Sequence, residues 1–168
     1  MSLNQSWCIN FIKQYSGSIL ESHDTKDAHL LDLYGGVGTL GIVNADLFSG
    51  VTLMENNEPS IEAAQINIEK NNVKNAEAVL LDAKNLKKID LPNNLFVITD
   101  PPRTGMDPKT IEELNKLKPK VILYVSCNVS QLAREIQKLR NYSVKSAALF
   151  DFFPQTNHSE SVVELVRK

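Results

Sequence analysis

The sequence is poor in the residues that build disulfide frameworks and metal centres. Its 168 residues contain two cysteines, Cys8 and Cys127, and three scattered histidines. Two thiols cannot form a disulfide framework or a thiolate-rich metal site, and the histidines show no ligand spacing. The composition therefore predicts that the protein binds no metal, and any special role for a cysteine must come from its local surroundings.

Long apolar runs and an excess of positive charge are missing as well. No apolar run approaches the length of a membrane-spanning helix, and the N-terminus lacks the basic-then-apolar pattern of a secretion signal. We therefore expect a cytoplasmic protein without a membrane partner. The 18 Lys and Arg residues against 20 Asp and Glu give a net charge of -2. Proteins that bind nucleic acid through their overall charge usually carry an excess of positive charge, so this balance is not typical of them.

The chain instead shows short β-type runs that alternate with helical patterns. This alternation predicts a single α/β domain over residues 1–168, with a mostly parallel sheet covered by helices on both faces. No helical pattern separates the last two runs, so they are predicted to form a hairpin whose final strand is antiparallel. The seven predicted strands are His29–Leu33, Val51–Glu55, Ala76–Leu81, Leu95–Thr99, Val121–Val125, Ser143–Phe150 and Ser161–Val166.

Candidate ligand-binding residues follow the first three strands, where open α/β sheets bind their ligands. The stretch "LDLYGGVGTLG" follows the G-x-G-x-x-G pattern, which lets a backbone approach a ligand at a helix N-terminus. Glu55 ends the second strand and is placed to accept hydrogen bonds from a ribose, although a solvated loop carboxylate would look the same. Asp82 follows the third strand and is a further candidate for cofactor binding.

The later strands bring chemically reactive side chains to the same edge. Two prolines after Asp100 hold that carboxylate in a stiff loop. Cys127 ends the fifth strand directly before a helical pattern, and a helix N-terminus makes a nearby thiol more nucleophilic. A buried structural cysteine is the alternative. Because the last strand is antiparallel, His158 and Glu160 before it are predicted to lie at this edge too.

Four motifs taken together resemble the catalytic domain of the RNA uracil-5-methyltransferase family. They are "LDLYGGVGTLG", "DPPR", "SCN" and "FPQTNHSE", in this order. The resemblance spans nearly the whole chain and implies a Rossmann-like class I fold that uses S-adenosylmethionine. One departure is Val129, where the family usually has a proline after SCN.

The resemblance also implies roles for individual residues. It makes Cys127 the nucleophile and Glu160 the base. For the cofactor it implies contacts from Glu55 and Asp100, from Tyr34 and Thr39 of the glycine loop, and from Gln5, which matches the amide of an F-x-Q motif. With the glycines and Asp82, the predicted cofactor-binding set is Gln5, Tyr34, Gly36, Gly38, Thr39, Glu55, Asp82 and Asp100.

The chemistry explains why a thiol and a base are needed together. Carbon 5 of uracil is too weak a nucleophile to take a methyl group from a sulfonium. A thiolate that adds to carbon 6 turns the ring into an enolate with electron density at carbon 5. After methyl transfer a base must remove the proton from carbon 5 before the thiolate can leave. Phe152 or Phe153 could pack on the extruded base, and His158 could orient Glu160.

Three alternatives remain open on the sequence. A NAD-binding oxidoreductase domain would use the same glycine pattern and Glu55, but needs neither the DPPR nor the SCN motif. A non-catalytic cofactor-binding module would not need both Cys127 and Glu160. A cytosine-5 RNA methyltransferase would carry a cysteine beside the prolines of the fourth-strand motif, which "DPPR" lacks.

The expected partner is an rRNA or a tRNA. Members of the family generally carry an N-terminal RNA-binding β-barrel and a central domain, and neither is recognisable in these residues. We therefore expect the RNA to be bound mainly through domains that this chain lacks, and the chain itself to be a monomer.

Overall fold

A computed structural model describes residues 3–151, 155 and 159–168, with side chains from residue 10 onward. The strands are β1 (His29–Leu33), β2 (Gly50–Glu55), β3 (Ala76–Leu80), β4 (Leu95–Thr99), β5 (Val121–Ser126), β6 (Tyr142–Phe150) and β7 (Glu160–Arg167). They form one sheet in the order β3-β2-β1-β4-β5-β7-β6. β1 to β5 are parallel, and β7 is antiparallel to both β5 and β6. The predicted mostly parallel sheet with an antiparallel last strand is confirmed.

Helices connect the parallel strands and cover the sheet. They are α1 (Leu3–Glu21), α2 (Thr39–Val43), α3 (Glu58–Lys70), α4 (Pro108–Leu117) and α5 (Val129–Ile136), with short 3₁₀ segments at Ala45–Leu47 and Ala83–Lys88. A polar side chain satisfies a first-turn backbone N–H at the start of three of them, which fixes where these helices begin. Asn57 accepts from Ser60, Asp107 from Lys109, and Asn128 from Gln131.

The core lies on both faces of the sheet, and the strand residues alternate between the two. Along β1, Leu30 packs with the α1 side, while Leu31 and Leu33 pack with the α4 and α5 side. All three are fully buried, which contributes about 1.5–3 kcal/mol per side chain relative to exposure. A strand buried on both faces reads as a continuous apolar run, which is why the sequence identifies these strands so well.

The strand register gathers the loops of interest at one edge. The last residue of β1, Leu33, is paired with Met54 of β2 and with Thr99 of β4. At the same edge, Ser126 at the end of β5 pairs with Ser161 near the start of β7. The loops after β1, β2, β4 and β5 therefore open on one rim, together with the beginning of β7.

None of the helices in the described part of the chain has the length and apolar character that a membrane span requires.

Candidate active site

The glycine loop between β1 and α2 forms the floor of a cleft at this rim. Tyr34, Gly36 and Gly38 have φ values of 64°, 53° and 85°, a left-handed conformation that is unusual for a tyrosine. The cleft has a volume of about 280 Å³. Its lining residues are Ile12, Asp32, Tyr34, Gly35, Gly36, Val37, Thr39, Leu40, Asp100 and Val125. Four of the predicted site residues thus share one cavity.

A wider groove of about 590 Å³ lies between α4 and the segment that follows α5. Its lining includes Ile111, Asn115 and Arg140, and none of the predicted site residues contributes to it. The groove is larger than the cleft, but it is not the better candidate for an active site, because the carboxylates and the thiol of the predicted site lie at the strand ends.

Glu55 is tied to the glycine loop by hydrogen bonds. Its Oε2 accepts from the backbone N–H of Gly36 at 3.1 Å, and its Oε1 accepts from the N–H groups of Asn56 and Asn57 at 2.8 and 3.0 Å. The carboxylate at the end of β2 is therefore held beside the loop that forms the cleft. This placement suits an acceptor for a ligand that enters the cleft.

Asp82 lies just outside the cleft at the start of a 3₁₀ segment. Its carboxylate accepts from the backbone N–H of Lys84 at 3.0 Å and forms an ion pair with the same lysine at 2.7 Å. The side-chain hydrogen bond to Lys84 is the main cause of the lowered pKa of Asp82. The negative charge of Asp82 also raises the pKa of Tyr34, a smaller effect than burial, so the two side chains are close.

Asp32 is a buried acid of the cleft that the motif analysis did not single out. It is 2% exposed, and its Oδ2 accepts from the backbone N–H of Gly41 at 2.7 Å. Burial raises the pKa of Asp32 to about 7, the charge of Glu55 adds to this, and the hydrogen bond from Gly41 opposes it. The sequence signal for Asp32 was an acid inside an otherwise apolar strand, directly before the glycine loop. Burial of an acid is costly, so an acid at such a position indicates a specific role.

Asp100 connects the cleft to the later strands. Desolvation by the surrounding protein raises the pKa of its carboxyl group to about 7, and the negative charges of Glu160 and Asp32 raise it by smaller amounts. The residue is nevertheless exposed to solvent, because the cleft is open on this side. Asp100 is therefore close enough to Asp32 in the cleft and to Glu160, the predicted base, for their charges to raise its pKa.

Cys127 and Glu160 flank the last paired residues of β5 and β7. Ser126 and Ser161 pair across the two strands, and the Ser161 hydroxyl donates to the Ser126 carbonyl at 2.9 Å. Cys127 follows Ser126 and Glu160 precedes Ser161, so both stand at the same end of this antiparallel pair. Each is half-buried. Burial raises the pKa of Glu160, and the positive charge of Arg103 partly offsets that effect.

The residues on either side of Cys127 hold its loop in place. The Asn128 backbone N–H donates to the Ser126 hydroxyl at 3.0 Å, so the turn around the thiol is closed by its own neighbours. The Asn128 side chain caps α5 and also donates to the Arg103 carbonyl at 3.1 Å. This hydrogen bond attaches the SCN motif to the DPPR loop. The positive charge of Arg103 in this loop is the one that opposes the rise in the pKa of Glu160.

Several predicted residues lie outside the described side chains. They are Gln5, Phe152, Phe153 and His158, of which Gln5 has a described backbone in α1. Among the side chains that are described, no group of three or more His, Cys, Asp or Glu is arranged to hold a metal ion.

Gly41 in α2 gives a direct test of how tightly this helix packs against β1 and β2. A Cβ at this position would lie 2.4 Å from Leu53 Cδ2 and 2.8 Å from Asp32 Oδ2. We expect Gly41→Ala to lower the free energy of unfolding by about 1–3 kcal/mol, as overpacking of a filled core does. Chemical denaturation measures this. Gly17→Ala in α1 is the control, because its Cβ would make an ordinary contact at 3.4 Å. Equal stability of the two variants would contradict the packing described.

A profile of the tRNA (uracil-5-)-methyltransferase family matches residues 9–168. A tRNA (uracil(54)-C(5))-methyltransferase of Pyrococcus horikoshii is 37% identical over 163 residues, covering 97% of this chain and 37% of the relative. A tRNA/tmRNA (uracil-C(5))-methyltransferase of Mannheimia succiniciproducens is 36% identical over 180 residues, covering 96% of this chain and 45% of the relative. The chain thus spans less than half the length of these curated relatives.

The fold of this chain is also that of a solved relative. The crystal structure of Pyrococcus abyssi tRNA (uracil-54, C5)-methyltransferase in complex with S-adenosyl-L-homocysteine superimposes with a TM-score of 0.83 and 35% identity. The match covers 96% of this chain and 38% of that one. The Rossmann-like methyltransferase fold expected from the sequence is therefore confirmed, and so is the resemblance carried by the four motifs. This chain belongs to the tRNA (uracil-5-)-methyltransferase family.

Proposed function

We propose that this chain is the catalytic domain of an enzyme that methylates carbon 5 of a uridine in RNA, with S-adenosylmethionine as methyl donor. The observation that carries the proposal is the match of nearly the whole chain to a uracil methyltransferase structure that holds S-adenosyl-L-homocysteine. The names of the curated relatives favour tRNA as the substrate class. The remaining length of such relatives offers room for RNA-binding parts, which agrees with the mild negative charge of this chain.

The cleft fits the proposed cofactor. At Gly36 an added Cβ would meet no heavy atom within 4 Å, so the loop leaves open space beside the Glu55 carboxylate. Asp32 and Asp100 line the same cleft and suit the positive charges of a sulfonium and an ammonium group. Glu55 is the candidate for ribose hydroxyls, with the glycine loop, Tyr34, Thr39, Asp82 and Gln5 as the further proposed contacts. When bound, the cofactor supplies an electrophilic methyl group.

The protein's own residues carry the steps on the uracil ring. The Cys127 sulfur adds to carbon 6, and the electron pair of the carbon 5–carbon 6 double bond moves toward carbon 5 and the carbon 4 oxygen. Carbon 5 then forms its bond to the methyl group. Glu160 takes the proton from carbon 5, the double bond re-forms, and the sulfur leaves carbon 6 with its electron pair. Burial raises the pKa of Glu160, which makes its carboxylate a stronger base than a solvated glutamate.

Calorimetry with S-adenosylhomocysteine and with NAD tests the cofactor assignment. We expect the first to bind and the second not to. Glu55→Ala should weaken S-adenosylhomocysteine binding at least about tenfold, because a charged acceptor beside the loop is lost. Glu58→Ala is the matched control, since Glu58 is an exposed acid at the start of α3. Binding of NAD without any response to S-adenosylhomocysteine would favour the oxidoreductase alternative.

The affinity for S-adenosylmethionine should depend on pH. Asp32 and Asp100 have pKa values raised to about 7 in the free protein, so both are largely neutral at pH 5.5. A bound cation favours their ionised forms and lowers their pKa values, so binding releases protons. Affinity is therefore expected to increase between pH 5.5 and 8 and to level off above the pKa of the free groups. S-Adenosylhomocysteine, which lacks the sulfonium charge, should show a weaker dependence, as should Asp100→Asn with either ligand. Calorimetry across this range decides, and an affinity that falls with increasing pH would contradict the proposal.

A further inference from the structure

Glu135 is a fully buried acid on the inner face of α5, outside the cleft and outside every motif discussed above. Its carboxylate accepts hydrogen bonds from three donors on three different parts of the chain. The Met106 backbone N–H contacts both oxygens, at 3.0 and 3.2 Å, the Tyr124 hydroxyl donates at 2.5 Å, and the Gln131 amide donates at 2.7 Å. A buried carboxylate is costly, so an arrangement of this kind needs a purpose beyond filling space.

One of these donors belongs to the loop that carries the DPPR motif. This loop turns at Gly105, whose N–H donates to the Pro102 carbonyl at 2.7 Å and whose φ is 85°. A Cβ on Gly105 would lie 1.8 Å from a Glu135 oxygen, so the loop backbone rests directly against the carboxylate. The same loop is also held at Arg103 by the Asn128 side chain. Glu135 and Asn128 are therefore two anchors of one loop.

The other two donors link this anchor to the predicted nucleophile. Tyr124 lies in β5, three residues before Cys127, and Gln131 lies in the first turns of α5, which begins directly after the SCN motif. The anchored loop carries Asp100 and Arg103, and the charges of both residues interact with that of Glu160. Glu135 thus connects the strand, the helix and the loop that together surround Cys127.

We propose that Glu135 is a positioning residue whose carboxylate fixes the 100–106 loop against β5 and α5, and so sets Arg103 and Asp100 relative to Cys127 and Glu160. The catalytic consequence rests on the proposed function, whereas the anchoring of the loop does not. Both carboxylate oxygens accept from the Met106 N–H, so a side chain that lacks both leaves this loop contact without an acceptor. A glutamine would keep one oxygen for Met106, because the Tyr124 hydroxyl can accept from an amide as well as donate.

Glu135→Leu tests the proposal with two independent readouts. Hydrogen exchange at the Met106 amide should become at least about tenfold faster, because leucine removes both oxygens that accept from it. The kcat for RNA methylation should fall about 100-fold, as a displacement of about 1 Å can produce. The Kd for S-adenosylhomocysteine should increase by much less, because Glu55 and the glycine loop keep their own contacts. Tyr124→Phe is the matched control, because it removes another donor from the same carboxylate and leaves the loop contact in place. Its Met106 exchange should stay close to that of the wild type.

Gly105→Ala disturbs the same contact from the side of the loop and covers the case in which Glu135→Leu fails to fold. It should displace the loop with α5 intact and reproduce the loss of kcat. When either variant is combined with Arg103→Gln, the loss of kcat, expressed as a free energy, should be smaller than the sum of the two single losses. The reason is that Arg103 is already misplaced in the variant loop. Unchanged Met106 exchange, unchanged kcat or additive effects would overturn the proposal. A wild-type protein that methylates no RNA would refute the proposed function instead, and Met106 exchange alone would then decide the role of Glu135.

Discussion

Cys127→Ala is expected to abolish uridine methylation, with a loss of at least about 10⁴-fold in kcat. The reason is chemical: without a sulfur that adds to carbon 6, carbon 5 has too little electron density to accept a methyl group. Cys127 is half-buried at a strand end, so its removal should cost no more than about 1 kcal/mol of stability. S-Adenosylhomocysteine binding should not change, because the cysteine does not line the cofactor cleft.

A methylation assay with a labelled methyl donor, run beside calorimetry, measures both effects. Cys8→Ala is the control, since Cys8 is the other thiol of the chain and belongs to none of the four motifs. If Cys127→Ala loses some stability but keeps its turnover, the cysteine is structural and the covalent mechanism is wrong.

Glu160→Gln is expected to separate the two halves of the reaction. The thiolate should still add and the methyl group should still transfer, but the proton on carbon 5 then has no base to accept it. Turnover should fall by about 10²–10⁴-fold, the usual contribution of a general base. Protein and methylated RNA should remain joined through the sulfur, in a complex that survives denaturing electrophoresis.

The double variant Cys127→Ala/Glu160→Gln is the control for this adduct and should form none. Rapid release of methylated RNA by Glu160→Gln alone would show that another group removes the proton.

The strands could be predicted closely because their physical signal is local. β1 and β4 have the predicted bounds, β2, β3, β5 and β6 differ by one residue at one end, and β7 is longer by one residue at each end. Continuous apolar runs that end at polar or glycine residues specify strands buried on both faces. The irregularity of β6 between Val144 and Ser146 could not be predicted in this way. It depends on pairing with β7, where buried Glu164 accepts from the Ser146 hydroxyl at 2.8 Å and pairs with Lys145 at 3.0 Å.

The candidate site likewise contains residues that the sequence could identify and residues that only the folded structure brings together. Tyr34, Gly36, Thr39 and Asp100 share a cleft because their positions at strand ends follow from the order of strands and helices. Glu135 could not be recognised from the sequence, because its loop contact is made with Met106, 29 residues away. An acid in a helical pattern normally indicates a solvated face, and only the folded arrangement shows three donors converging on it.

The most direct test of the covalent mechanism is to locate the bond between protein and RNA. Glu160→Gln is incubated with S-adenosylmethionine and tRNA, the adduct is digested with protease and nuclease, and the cross-linked peptide is sequenced by mass spectrometry. We expect a methylated uridine attached to the sulfur of Cys127. An adduct on another residue, an unmethylated nucleotide on Cys127, or the absence of any adduct in a variant that still binds S-adenosylmethionine and tRNA would contradict it.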